Sequence, residues 1–306
     1  MIQYNFSGLK GLGRKVNDMK FKGLGTALVT PFSNVEIDWE SYRLLVKRQV
    51  EAGVDFLVPL GSTAETPCLT DEDKVEILRV TKEESCGLPI VAGVGSNSFT
   101  GTVRNMRLLD PYGADAYLVV VPFYNKPTQE GLYRYFKAVA EETDRQVILY
   151  NVPGRTGTNM KTETCLRLAE IPNVVAVKEA SGDVAQIIDI RRQAPADFSV
   201  LSGNDDQTLP LMASGADGVI SVASNVAPKM MKALTEAVMA SDLKTAIDLN
   251  NRLMPLYNAC FVESNPIPVK AALSILGYCR AEMRLPLTEA VDSTRELMEK
   301  VLPGLE

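Results

Sequence analysis

Val174-Val175-Ala176-Val177-Lys178-Glu179-Ala180 is a short apolar run of strand-forming residues that ends on a lysine. Alternate side chains of a strand share one face, so Lys178 is expected to lie with Ala176 and Val174, two residues small enough to leave room for it. That face is expected to be interior. Desolvation of an ammonium there pulls a lysine pKa down from about 10.4, towards values at which the neutral amine attacks a carbonyl. The competing reading is an ordinary lysine just past a strand end, snorkelling to solvent. The neighbouring sequence has to decide between the two.

Seven further apolar runs share the chain with this one: Gly25 to Thr30, Phe56 to Leu60, Ile90 to Val94, Ala116 to Val121, Val147 to Tyr150, Phe198 to Leu201 and Gly218 to Val222. Longer amphipathic stretches separate them, the rhythm of βα units around a parallel sheet. Eight such units close an α/β structure, the (β/α)8 or TIM barrel, whose functional residues gather at the carboxyl ends of the strands. An open doubly wound sheet is the structural rival. Its nucleotide fingerprint is missing, since Gly93-Val94-Gly95-Ser96-Asn97-Ser98 lacks the third glycine and an acidic partner at the expected distance. From about Lys229 the pattern turns helical without further strand runs, broken by Asn265-Pro266-Ile267-Pro268 and Leu285-Pro286. The expected organisation is a tail over 1–20, a barrel over 21–228 and a helical extension over 229–306. Residues 1–20 carry Lys10, Gly11, Gly13, Arg14 and Lys15 without a sustained apolar period, and Met19 offers a second possible start.

Composition narrows the chemistry. A chain of 306 residues, 46% hydrophobic, can bury one large core. Its 38 acidic and 32 basic residues leave a net charge of −6, which offers no basic footprint for nucleic acid or an acidic membrane. Small molecules are the expected partners. Five scattered cysteines, an odd number with no CxxC pair, fit a reduced cytoplasmic protein, and neither a long apolar span nor a secretory pattern is visible. Histidine is absent altogether, which removes serine–histidine triads, cysteine–histidine dyads, histidine metal sites and imidazole acid-base chemistry together. Any catalysis must use Lys, Tyr, Thr, Cys or carboxylates.

In a barrel, polar groups just after the apolar runs converge on one mouth. The second run is followed by Gly61-Ser62-Thr63-Ala64-Glu65-Thr66, whose hydroxyls and backbone N–H groups suit a carboxylate, or simply cap the next helix. After the fourth comes Pro122-Phe123-Tyr124-Asn125, and the fifth leads into Tyr150-Asn151-Val152-Pro153-Gly154-Arg155-Thr156-Gly157. Each tyrosine alone reads as a half-buried aromatic, and Arg155 alone as a surface residue of a turn. Together with a desolvated lysine they match a Schiff-base site: an amine nucleophile, a phenol to move protons and a guanidinium to bind a carboxylate.

These segments, with Leu201-Ser202-Gly203 and Asn265 to Lys270, resemble the dihydrodipicolinate synthases from about Phe21 to the C-terminus. The wider Schiff-base aldolase family, which includes N-acetylneuraminate lyase and keto-sugar-acid aldolases, is similar around the lysine and the Gly61 turn. Arg155 is the more specific synthase feature. The resemblance implies condensation of pyruvate, bound as an imine on Lys178, with L-aspartate 4-semialdehyde, and no cofactor or metal. It implies that Tyr150 shuttles protons, that Thr63 and Tyr124 complete a hydroxyl relay with Tyr124 reaching into a neighbouring subunit, and that Arg155 holds the semialdehyde carboxylate. Ser62 and Thr63 belong to the substrate-binding turn, and the backbone at Gly203 and Ile220 shapes the pocket around the imine. The assembly implied is a homotetramer of tight dimers. Ala64 and Asn204 stand where the family has glycine and aspartate, and Ser62 where many synthases have threonine. A keto-sugar-acid aldolase, and a barrel that merely binds a keto acid, are the alternative readings. Regulated synthases also bind lysine between tight-dimer subunits; here Gly101 and Phe123 replace the glutamate and tyrosine that meet it, Lys74 replaces a histidine, and Asn97 is kept. Weak or absent inhibition by lysine is the expectation.

Overall fold

The computed structural model describes residues 20–305, so the expected tail over 1–20, apart from Lys20, and the choice of Met1 or Met19 lie outside the described residues. Strands β1 (Gly23–Ala27), β2 (Phe56–Val58), β3 (Val91–Gly93) and β4 (Ala116–Val120) fill the first half of the barrel. Strands β5 (Gln146–Asn151), β6 (Val174–Glu179), β7 (Ser199–Ser202) and β8 (Gly218–Ser221) fill the second. All pair in parallel, in the order β2-β1-β8-β7-β6-β5-β4-β3. A parallel bridge between Leu57 and Ile90 joins the two edges, and the sheet closes into a (β/α)8 barrel.

Period-two alternation divides the strand residues between two apolar layers. Ala27, Phe56, Val58, Val91, Ala116, Leu118, Ile148, Ala176, Leu201 and Ile220 point inwards and fill the barrel. Leu24, Leu57, Tyr117, Val119, Leu149, Val177, Val200 and Val219 point outwards, against helix residues such as Leu45, Ile77, Met106, Phe136, Leu168, Ile187 and Leu234. The inner layer mixes small and large side chains because the interior has no room for eight large ones. At Gly25 an added Cβ would sit 2.1 Å from the Phe56 ring, so the missing side chain of β1 is the space in which Phe56 lies. Phe21 then packs edge-on against Phe56, ring centroids 5.3 Å apart.

One expectation about the lysine strand needs correction. Val174 belongs to the outer layer, whereas Val175 packs towards the inner one. The register with β5 shifts here, with Val147 opposite Val174 but Ile148 opposite Ala176, so a bulge at Val175 interrupts strict alternation. Lys178 shares its inward face with Ala176 all the same.

Helices take their places for local reasons. Thr128 accepts a hydrogen bond from the Gly131 N–H and caps Gln129–Glu141, whose Leu132, Phe136, Val139 and Ala140 recur at helical spacing and are buried against the barrel. Beyond β8 come helices Pro228–Met239, Leu243–Ala259, Ile267–Ile275 and Asp292–Val301. The first is clamped to the barrel through Lys232, whose Nζ lies 2.8 Å from Asp55 Oδ1, while Asp55 Oδ2 accepts from the Leu24 N–H of β1. No described helix is long and apolar enough to cross a membrane.

Candidate active site

Lys178 and Tyr150 face each other across neighbouring strands, register partners at the carboxyl ends of β6 and β5. The Lys178 Nζ stands 4.4 Å from the centre of the Tyr150 ring, and the lysine is only 4% exposed. The snorkelling reading is thereby excluded: strand alternation holds the amine inside the barrel, on the same face as Ala176. The next residue, Glu179, points the opposite way and is fully buried. Its carboxylate accepts from Asn151 Nδ2 at 3.0 and 3.1 Å, from the Ser181 N–H at 2.8 Å and from Gln186 Nε2 at 3.1 Å. Burial nonetheless raises its pKa above the usual carboxylate range. This network ties the ends of β5 and β6 together, directly behind Tyr150 and Lys178.

The turn after β2 is held on every side. Thr66 Oγ1 donates to the Gly61 carbonyl at 2.8 Å, and Thr30 Oγ1, just beyond β1, donates to the Ala64 carbonyl at 3.0 Å. Gly93 lets β3 approach, since a Cβ there would fall 1.9 Å from the Leu60 carbonyl oxygen. Thr63 is buried and its Oγ1 accepts a hydrogen bond from Asn265 Nδ2 at 2.9 Å, whereas Ser62 is half-buried. Glu65, at a positive φ of 55°, turns its carboxylate inwards to Lys270 Nζ at 2.8 Å, and both side chains are wholly buried.

On the opposite wall the Gly203 N–H donates to the Glu179 carbonyl at 2.7 Å, and a Cβ at Gly203 would come within 2.6 Å of the Ala180 Cβ. Only glycine lets β7 end this close to the lysine strand. Ile220 fills the interior from β8. Behind it, Asp205 Oδ2 accepts from the Val222 and Ala223 N–H groups at 3.0 and 2.9 Å and so pins the turn after β8. Burial pushes the Asp205 carboxyl up, against hydrogen bonds and the charge of Lys178, which favour its ionised form.

Arg155 sits in the short helix Pro153–Thr156 at the rim, exposed, with its Nη2 donating to the Asn265 carbonyl at 3.1 Å. Tyr124 stands apart. It is 89% exposed, at a φ of 72°, in a loop anchored by Asn125 Nδ2 to the Asn97 carbonyl at 2.7 Å. So much exposed surface leaves its phenol outside the buried cluster of its own subunit. The structure thus brings Lys178 and Tyr150 into contact, with Gly203 packed against the end of the lysine strand; Ile220 faces the same barrel interior, Ser62 and Thr63 lie in the turn after β2, and Arg155 is at the rim. Among the described residues no group of three or more Asp, Glu or Cys could hold a metal ion.

Sequence reasoning assigned no role to Glu179, Asp205, Glu65 or Asn265. Their signal is faint: an isolated polar residue beside a strand end looks the same whether it faces solvent or closes a buried network.

The model of the dihydrodipicolinate synthetase family matches residues 20–304. A 4-hydroxy-tetrahydrodipicolinate synthase from Thermotoga neapolitana is 47% identical over 287 residues, covering 92% of this chain and 98% of the relative. One from Koribacter versatilis is 48% identical over 286 residues, covering 92% and 95%. The crystal structure of dihydrodipicolinate synthase from Thermotoga maritima superposes with a TM-score of 0.92 at 46% identity, covering 94% of this chain and all of that one.

Proposed function

The chain belongs to the dihydrodipicolinate synthetase family and is a lyase, and on that premise we propose that it condenses pyruvate with L-aspartate 4-semialdehyde to 4-hydroxy-tetrahydrodipicolinate, in the diaminopimelate and lysine pathway. The observation that carries the mechanism is the buried Lys178 amine 4.4 Å from the Tyr150 ring. The Lys178 amine attacks the pyruvate ketone, and the resulting carbinolamine loses water to give a protonated imine. That imine is the electron sink, so the reaction calls for no cofactor. The pyruvate methyl gives up a proton, and the enamine attacks the aldehyde carbon, whose oxygen takes a proton to become the hydroxyl. The amino group of the semialdehyde then displaces Lys178 from the imine carbon, which closes the ring and frees the enzyme. One water is lost overall.

Each step moves a proton, and Tyr150 is the phenol that carries it. Thr63 continues the relay. Tyr124 completes it from the other subunit of a dimer, a role supported by its exposure at the end of an anchored loop. The Ser62–Thr63 turn and the backbone at Gly203 and Ile220 hold the pyruvate end of the substrate, and Arg155 binds the semialdehyde carboxylate at the mouth. A homotetramer of tight dimers in the cytoplasm is the setting we infer, in line with relatives that are biosynthetic enzymes. Borohydride reduction with pyruvate present should leave a stable adduct on Lys178, seen by peptide mass, and turnover should appear with L-aspartate 4-semialdehyde and not with N-acetylneuraminate. An adduct-free lysine, or substantial turnover by Lys178→Ala, overturns the mechanism.

A further inference from the structure

We propose that Asn265 is a positioning residue for the proton relay: its side-chain amide sets which way the Thr63 hydroxyl presents its proton. The proposal rests on the reading of Thr63 as a relay hydroxyl. A hydroxyl has one proton to donate and two lone pairs. Asn265 Nδ2 donates to Thr63 Oγ1 at 2.9 Å, with both residues buried, and so occupies one lone pair. What remains is one donor and one acceptor, the valence required of a group that takes a proton from one phenol and passes one to another. Without the amide, the Thr63 proton is free to turn elsewhere.

Two further observations mark Asn265 as kept for this contact. Its Oδ1 is buried and finds no hydrogen-bond partner among the described residues, a cost that an apolar packing residue avoids. Its main-chain carbonyl accepts from Arg155 Nη2 at 3.1 Å, so the same residue holds the guanidinium that binds the second substrate. Side chain and backbone thus serve different groups. The side chain governs proton transfer, and the backbone, which survives substitution, governs the position of Arg155.

That division makes the test. Asn265→Asp keeps the shape of the side chain but replaces its donor with an acceptor, which turns the Thr63 proton towards residue 265; kcat should fall about 10²-fold, as for loss of an acid-base group. Asn265→Ala should lower kcat about tenfold, and in both variants the KM for L-aspartate 4-semialdehyde should stay within about twofold of wild type, because the carbonyl remains. Added to Thr63→Val, Asn265→Ala should cause no further loss, since its target hydroxyl is gone. A kcat for Asn265→Asp within about threefold of wild type overturns the proposal, as does an Asn265→Ala loss that adds in full to that of Thr63→Val. The cycle with alanine and valine decides alone if the aspartate variant does not fold. A wild-type protein that forms no borohydride-trapped adduct with pyruvate overturns instead the reading on which the relay rests.

Discussion

Replacing Lys270 with methionine leaves the Glu65 carboxylate without its cation in a place with no access to water. The two groups are 2.8 Å apart, both side chains wholly buried, and Lys270 Nζ also lies 4.3 Å from the centre of the Phe32 ring. Burial holds the Lys270 pKa below that of a free lysine, with the charge of Glu65 opposing it. Breaking such a pair from one side costs about 3–5 kcal/mol, because the desolvation of the remaining charge is no longer offset. Unfolding entropy is about 2.1 cal/mol/K per residue, so for 306 residues it is about 0.64 kcal/mol/K and the melting temperature should drop by about 5–8 °C. Glu65 directly follows Ser62, Thr63 and Ala64, so the KM for pyruvate should rise as the turn loosens. Glu65→Gln combined with Lys270→Met removes both charges and should recover most of the lost stability. Calorimetric scans of the two single variants and the double at one pH and protein concentration provide the measurement. A Lys270→Met protein that melts within about 2 °C of wild type, or a double variant less stable than Lys270→Met, would refute the argument.

Phenylalanine at Tyr150 or Tyr124 should lower kcat by about 10²–10⁴ with little change in the KM for pyruvate, and dilution below the dimer dissociation constant should reproduce the Tyr124 loss. Unchanged kcat removes the residue from the relay. Asp205 has its pKa raised by burial, so its contribution to stability is complete below the unfolded value of about 3.9 and is lost as pH rises through the folded value. Asp205→Asn can still accept from the Val222 and Ala223 N–H groups, so its stability relative to wild type should improve from pH 4 to pH 7, read as urea midpoints; an unchanged difference contradicts the sign. Free lysine should inhibit weakly or not at all. Gly101 offers no acceptor, a Cβ there would lie 2.6 Å from Ser96 Oγ, and Phe123 has no hydroxyl. Two missing hydrogen bonds to charged groups, about 1.5–3 kcal/mol each, weaken binding on the order of a hundredfold or more. Strong inhibition of initial rates at submillimolar lysine would show that other residues rebuild that site.

Much of this protein is legible in one dimension because its determinants are local. Eight apolar runs spaced by amphipathic stretches specify a closed parallel barrel, since a strand buried on both faces and a helix buried on one differ in period. The same alternation places Lys178 and Tyr150 at strand ends facing inwards, and the absence of histidine leaves a lysine amine and a phenol as the natural reactive pair. What the sequence does not contain is register and long-range pairing. A bulge at Val175 moves Val174 to the outer layer, a displacement decided by how β6 meets β5 and not by either strand alone. By residue pattern alone Tyr124 looks like any other tyrosine after a strand, and its 89% exposure on its own subunit is a property of the folded loop. Asn265 and Thr63 are 202 residues apart, and Lys270 and Glu65 are 205. Hydrogen bonds and ion pairs over such separations leave no periodic trace, because their geometry exists only after the C-terminal helices have packed against the mouth of the barrel.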